Sequence, residues 1–185
     1  MVILRRTRKL SAVLPETAAG PVTSDTALGD WYVNRVVVDR QPLLLLVSST
    51  TLLPILVPAR DVRGLPGRLA AIVAARLRRC GIDESIIRAE VEAMESVVVG
   101  ATVDRSVLGI LVDFAKCVPF HLEVGQWDET TLVAVEARLA ETPCYASGPD
   151  DRVIFPDRKA PEALMAKWLA KMPLPSTSGR WAGVH

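Results

Sequence analysis

Leu43-Leu44-Leu45-Leu46-Val47 is an unbroken run of large aliphatic residues, and no other stretch restricts the fold as much. A strand that alternates apolar and polar residues can lie on a surface, whereas a continuously apolar one needs cover on both faces. Upstream, Trp31 to Val38 alternates and ends in Val36-Val37-Val38, and Asp39-Arg40-Gln41-Pro42 joins the two stretches. β-branched and aromatic residues flanking a short polar turn predict an antiparallel hairpin.

Further strands are expected at Val2 to Leu4, Ile55 to Val57, Val97 to Val99 and Arg152 to Phe155, all rich in β-branched or aromatic residues. Helical spacing of apolar residues predicts helices at about 68–80, 84–95, 105–118 and 129–142. Asp83, Asp104 and Asp128 stand where N-caps belong, Gly81 where a helix stops, and Pro119 just past the third helix. A last helix is expected to start at Pro161 and carry Leu164, Met165, Trp168 and Leu169. These elements make an α+β fold, a small antiparallel sheet with a central hairpin packed against four to five helices. The expected organisation is a single domain over 1–145, a strand and helix appendage over 146–172, and a flexible tail over 173–185.

With 50% apolar and 23% charged residues, the 185-residue chain has the balance of a folded soluble protein. The longest apolar stretch, Pro42 to Ala59, is broken by Ser48-Ser49-Thr50-Thr51 and Pro54, so no membrane span is expected. Arg5, Arg6, Arg8 and Lys9 are not followed by an apolar run, which argues against a signal peptide and for a cytoplasmic protein. Cys80, Cys117 and Cys144 are too far apart for a zinc or disulfide framework and read as reduced thiols. No metal site and no cofactor is expected.

Charge is unevenly placed. Residues 1–80 hold 12 Lys and Arg against 5 Asp and Glu, a balance of +7; residues 81–141 hold 4 against 12, a balance of −8. Either the two halves neutralise each other across a packed interface, or the basic half meets an acidic or nucleic-acid partner. Candidates for a basic surface are Arg5, Arg6, Arg8 and Lys9 at the start of the chain and Arg68, Arg76 and Arg79 on the first long helix. That helix has no interleaved aromatics for stacking on bases.

Phosphate-binding glycine loops, metalloprotease helices, nucleophile elbows and C-x-x-C pairs are all absent from the sequence. Of the two histidines, His185 is terminal and His121 lies in Pro119-Phe120-His121-Leu122, a setting for a structural imidazole. Two polar clusters remain. In Leu28-Gly29-Asp30-Trp31-Tyr32-Val33-Asn34, strand alternation sends Asp30, Tyr32 and Asn34 to one face and Trp31 and Val33 to the other. Three polar-capable side chains on one strand face must be exposed or paired. They form either a binding face or a turn with a core anchor. In Asp104-Arg105-Ser106-Val107-Leu108-Gly109, Arg105 projects from the positive end of a helix, which favours anions, so it needs an acidic partner. Asp30 and Asp113 are the internal candidates, and a phosphate or partner carboxylate is the external one. Asp30, Tyr32, Asn34, Arg105, Ser106 and Asp113 are therefore the binding candidates.

Leu28 to Asn34, Asp104 to Phe114 and Leu139-Ala140-Glu141-Thr142-Pro143-Cys144 stand in an order and spacing that resembles a family of uncharacterised bacterial proteins. That family is classified only as a domain of unknown function. Its corresponding segments read L-G-D-W-Y-x-N, N-R-S-V-L-G-S-M-N-D-F and L-A-E-T-P-C, and the likeness spans about residues 1–145. This chain has Asp104 for the Asn, which keeps a good cap, and Ile110-Leu111-Val112 for S-M-N, which removes an amide. The resemblance implies a fold and a set of positions but no activity; the look of the family suggests a bacterial stress or phage-defence setting.

The leading expectation is a non-enzymatic interaction module that binds a protein or nucleic-acid partner through its basic half, with homo-oligomerisation open. The alternative is a hydrolase or nucleotide-handling enzyme with Asp30, Tyr32, Arg105 and Asp113 around one pocket. That alternative requires those side chains to converge.

Overall fold

The computed structural model describes residues 1–18, 20, 22–122, 128–145 and 153–171. Among these the chain forms a five-stranded sheet, a two-stranded ribbon and five α-helices, the α+β class expected from the sequence. The large sheet has the order β4-β3-β2-β1-β5, formed by β1 (Val2–Arg6), β2 (Trp31–Val38), β3 (Gln41–Ser48), β4 (Pro54–Pro58) and β5 (Val97–Ala101). β2, β3 and β4 make an antiparallel meander, while β1 lies parallel to both of its neighbours, β2 and β5. The sheet is thus mixed rather than wholly antiparallel. Hairpin partners announce themselves through a short turn, but parallel partners are joined by long crossovers that no local pattern encodes.

β2 and β3 pair from Trp31 opposite Ser48 to Val38 opposite Gln41. The turn residues Asp39 and Arg40 both have positive φ, 49° and 64°, the handedness that suits a two-residue hairpin to the twist of its strands. Pro42 is tolerated because it faces β4, where its carbonyl accepts from Ala59 N–H at 3.0 Å.

The aliphatic run of β3 is divided by strand alternation. Leu44 and Leu46 join Val2, Leu4, Trp31 and Val33 on a face covered by α1 (Leu65–Arg79), α2 (Glu84–Ala93) and α5 (Pro156–Trp168). Leu43, Leu45 and Val47 join Tyr32 and Val36 on the opposite face, beneath α3 (Arg105–His121) and α4 (Glu129–Ala140). Each of those β3 side chains is at most 1% exposed, and burying one is worth about 1.5–3 kcal/mol. The ribbon of β6 (Cys144–Tyr145) and β7 (Val153–Ile154) adds to the α3–α4 side, with Cys144 in that core.

Three helix boundaries differ by three residues or more from the sequence reading, each at a proline. α1 begins at Leu65 with Pro66 inside its first turn, where no amide is needed. α3 passes through Pro119 to His121, since a proline so near the end leaves only the Ala115 carbonyl without its helical donor. α5 starts at Pro156 rather than Pro161; Pro161 interrupts a single bond, to the carbonyl of partly exposed Asp157. The three acidic caps are in place. Asp83 accepts from Ser85 N–H, Asp104 from Ser106 and Val107, and Asp128 from Thr130 and Thr131.

The basic and acidic halves meet at Glu136 of α4, 1% exposed, which accepts from Arg79 at 2.7 Å and lies 3.7 Å from Arg76. No helix among the described residues is long and apolar enough to cross a membrane. The expected tail, 173–185, lies outside the described residues. α5 contributes Ala160, Leu164 and Trp168 to the same core as α1 and α2. Leu164→Ala should accordingly cost about 2–5 kcal/mol in urea denaturation, the range of a core cavity. A change below about 0.5 kcal/mol, as on a surface, would place α5 outside the cooperative unit.

Candidate functional site

The segment leading into β2 is tied from every side. Gly29 has a φ of 72°, and a Cβ there would collide with the hydroxyls of Ser49 and Thr50 at the far end of β3. Ser49 N–H donates to the Asp30 carbonyl at 2.8 Å and its hydroxyl accepts from Asp30 N–H at 2.8 Å, while Thr50 N–H reaches the Leu28 carbonyl. Glu90 of α2, wholly buried, accepts from Ala27 N–H at 2.8 Å, Leu28 N–H at 3.0 Å and the Trp168 indole N–H at 2.7 Å. Lys167 of α5 completes the hold with a 3.0 Å bond to the Thr26 carbonyl. Backbone groups of a buried turn need such partners, and here a carboxylate supplies two of them.

Asp30, Tyr32 and Asn34 do share one face of β2, as alternation requires, but each is engaged by the protein itself. Asp30 accepts from Arg5 Nε at 2.7 Å and from the Ser24 hydroxyl at 2.5 Å. Arg5 stands opposite Tyr32 in one register and opposite Gly100 in the other. A Cβ on Gly100 would come within 3.1 Å of the guanidinium, which also reaches the Ala101 carbonyl at 3.3 Å. Tyr32 is 1% exposed and its hydroxyl accepts from Asp104 N–H at 3.0 Å, tying the start of α3 to the sheet. Asn34, 6% exposed, accepts from the Thr7 hydroxyl at 3.1 Å. Tyr32 therefore has no face left on which a ligand could stack.

The expected partnership of Asp30 with Arg105 is not formed; Arg5 takes that place. Arg105 is exposed and has no ionic or hydrogen-bonding partner among the described residues, since water can satisfy a cation at a solvated helix end. Ser106 gives its N–H to the Asp104 cap at 2.8 Å. Asp113 is exposed and pairs with Lys116 at 2.9 Å, one turn along α3. Arg105 and Asp113 are eight residues apart on α3, about 12 Å along its axis. Asp30 and Tyr32 share one sheet face and Asp104 N–H reaches the Tyr32 hydroxyl, but among the described residues no hydrogen bond or ion pair joins the Arg105 or Asp113 side chain to Asp30 or Tyr32.

The basic-surface candidates also separate. Arg5 is largely buried against Asp30, and Arg6 lies 3.7 Å from Glu16. Arg76 is corrected from surface to interior: it is 5% exposed, donates to the Pro54 carbonyl at 3.2 Å and faces Glu136. Arg79 shares Glu136, and Arg68 donates to the Asp61 carbonyl at 2.5 Å. Only Arg8 and Lys9, on the 3-10 turn Arg8–Leu10, stand exposed without a side-chain partner among the described residues. Sequence reading missed Glu90 and Glu136, the two carboxylates that matter most to packing. Their signal was present: Glu90 falls between Ile87 and Met94 on the apolar stripe of α2, and Glu136 between Leu132 and Leu139 on that of α4.

No group of three or more His, Cys, Asp or Glu among the described residues could hold a metal ion. The Cys144 thiol is pushed up to about 11 by burial and, secondarily, by the negative charge of Asp113. Burial likewise raises Cys80. Thiolate, the nucleophilic form, is thus scarce at neutral pH at both positions.

The chain belongs to the family described as domain of unknown function DUF6933, whose model matches residues 3–159. No curated protein and no solved structure matches it.

Two outcomes follow from this arrangement. Glu90→Gln places an NH₂ group against at least one buried N–H and should cost about 1–3 kcal/mol of unfolding free energy; no change in a chemical melt would mean that its bonds are dispensable. Alkylation of Cys144 by iodoacetamide, followed by peptide mass spectrometry, should keep accelerating past about pH 10 as thiolate forms. A plateau below about pH 9 would reveal an activated thiol.

Proposed function

We propose that this domain is a non-enzymatic interaction module that binds a protein partner through a basic surface at the C-terminal end of β2. The observation that carries this reading is where the cations are left uncommitted. Arg76 and Arg79 turn toward Glu136, Arg78 pairs with Glu84 at 2.6 Å and Arg68 bonds backbone. α1 is thereby deprived of the stripe that would track phosphates. Arg8, Lys9 and Arg35 are exposed and carry no such pairing among the described residues. Lys9 and Arg35 flank one groove, beside Lys116.

The side chains with catalytic potential support the same reading, because Asp30, Tyr32 and Asn34 are consumed by bonds that hold the sheet together. A cytoplasmic location and a bacterial stress or phage-defence setting remain parts of the proposal that rest on the sequence and on the look of the family.

Gel shifts with duplex DNA and single-stranded RNA decide between a protein and a nucleic-acid partner. With only Arg8, Lys9 and Arg35 on the proposed surface, any shift seen at about 50 mM salt should be gone by about 150 mM. A shift that survives at about 200 mM salt with a steep salt slope would overturn the protein reading.

A further inference from the structure

Among the described residues the sheet has three stretches of edge, one closed along its length and one interrupted at its middle. On the outer edge of β4, pairing with β3 turns Pro54, Leu56 and Pro58 outward. The two prolines have no N–H, Leu56 N–H is taken by Glu136 at 2.8 Å, and the Pro54 carbonyl is taken by Arg76. On the outer edge of β5, the Val99 carbonyl accepts from Thr17 and Ala18, and Val99 N–H donates to the Thr17 hydroxyl. Unpaired strand edges invite other chains, and these two are blunted.

The third stretch is not. β1 pairs with β2 only as far as Arg6 opposite Val33, and Thr7 N–H then donates to the Val33 carbonyl at 3.1 Å. Beyond that point the chain turns away at Arg8–Leu10, while β2 continues to Val38. The Val33 bond fixes the parity: odd-numbered residues of β2 present their backbone toward β1, even-numbered ones toward β3. The Arg35 and Val37 N–H and C=O groups therefore point to an edge where, among the described residues, nothing receives them.

A groove of about 650 Å³ runs along this edge, lined by Lys9, Arg35, Val37, Val112, Ala115 and Lys116. Asn34 and Val36 line it too, so both sets of alternating β2 residues border the groove, which lies along the strand edge rather than on either face. Val37 and Val112, one on each side of the sheet beside this edge, are 56% and 39% exposed.

We infer that the open edge of β2 from Asn34 to Val38 binds an extended acidic peptide segment of a partner protein, added as a strand in line with β1. The inference rests on the protein-partner reading above and names the chemistry of that partner. Backbone hydrogen bonds to Arg35 and Val37 supply affinity, as in strand addition generally. Lys9 and Arg35 select for carboxylates, Lys116 being already paired with Asp113, while Val37 on one face and Val112 on the other can each meet a different aliphatic side chain of the added strand. A second copy of this chain is disfavoured as occupant, because two β2 edges would bring the Lys9 and Arg35 of both copies to one seam.

The test is fluorescence anisotropy of a labelled decapeptide of alternating glutamate and valine against the full chain in low salt. Two further peptides carry N-methyl groups on one or the other alternate set of amides, and a fourth has lysine in place of glutamate. Saturable binding of the acidic peptide is expected, with no binding of the lysine peptide. One N-methylated peptide should bind at least about tenfold more weakly and the other nearly normally, because an added strand turns alternate amides toward the sheet. Lys9→Glu with Arg35→Glu should weaken binding at least about tenfold. Val37→Pro removes an outward N–H without touching the β2–β3 ladder and should do the same; if that variant fails to fold, the N-methylated pair decides. Equal binding of both N-methylated peptides would overturn strand addition while leaving a charged docking surface intact. No binding of the acidic peptide, or a dimer in size-exclusion chromatography that the peptide does not dissociate, overturns the inference. A salt-resistant nucleic-acid shift sinks the broader reading separately, whatever the peptides do.

Discussion

The buried carboxylate of Glu90 is the joint on which the rest of this structure depends. By accepting from Ala27, Leu28 and Trp168 it holds the approach to β2 between α2 and α5. With that approach fixed, Gly29 can make its close passage by Ser49 and Thr50, and the Asp30 carboxylate arrives within hydrogen-bonding reach of Arg5. The position of Asp30 sets where β2 begins, and so its register against both β1 and β3. A one-residue slip there would turn Trp31 and Val33 from one core to the other. The polar residues of this segment are best understood as the fasteners of a sheet whose two faces are both dry.

A second constraint follows from the first. A sheet buried on both faces has only its edges left for the outside world, and two side chains dominate how the β4 edge is closed. Glu136 serves three purposes at once: it neutralises Arg79, lies near Arg76 and takes the single available N–H of the β4 edge. The positive first half and negative middle of the chain are joined at this point, which accounts for part of the charge asymmetry without any partner. Lys9 and Arg35, among the exposed cations that remain, line the groove where the sheet is open.

Much of the fold was legible where the signal is local. The aliphatic run of β3 required two covering layers and has them, and the acidic caps of α2, α3 and α4 start those helices where the spacing put them. The parallel placement of β1 was not legible, since Val2 to Arg6 carries no mark of its partners at 31–33 and 97–101. The candidate site was legible in part. Alternation correctly grouped Asp30, Tyr32 and Asn34, but not what they face, because Arg5, Asp104 and Thr7 reach them across the sheet or from the start of α3. The expectation that Arg105 needs a counter-ion failed because solvent screens an exposed cation well enough. Arg5, counted in a surface cluster, was instead drawn inward by Asp30.

Native-state hydrogen exchange followed by NMR probes the fastened approach and the open edge in one experiment. Amides of Ala27 and Leu28, bonded to Glu90, should exchange only through global unfolding, at rates near those of Tyr32 and Asn34 within the β2–β3 ladder. Arg35 and Val37 amides should exchange far faster than their neighbours Asn34 and Val36, although all four lie in one strand. Loop-like exchange at Ala27 and Leu28, or protection at Arg35 and Val37 equal to that of Asn34 and Val36, would contradict this account.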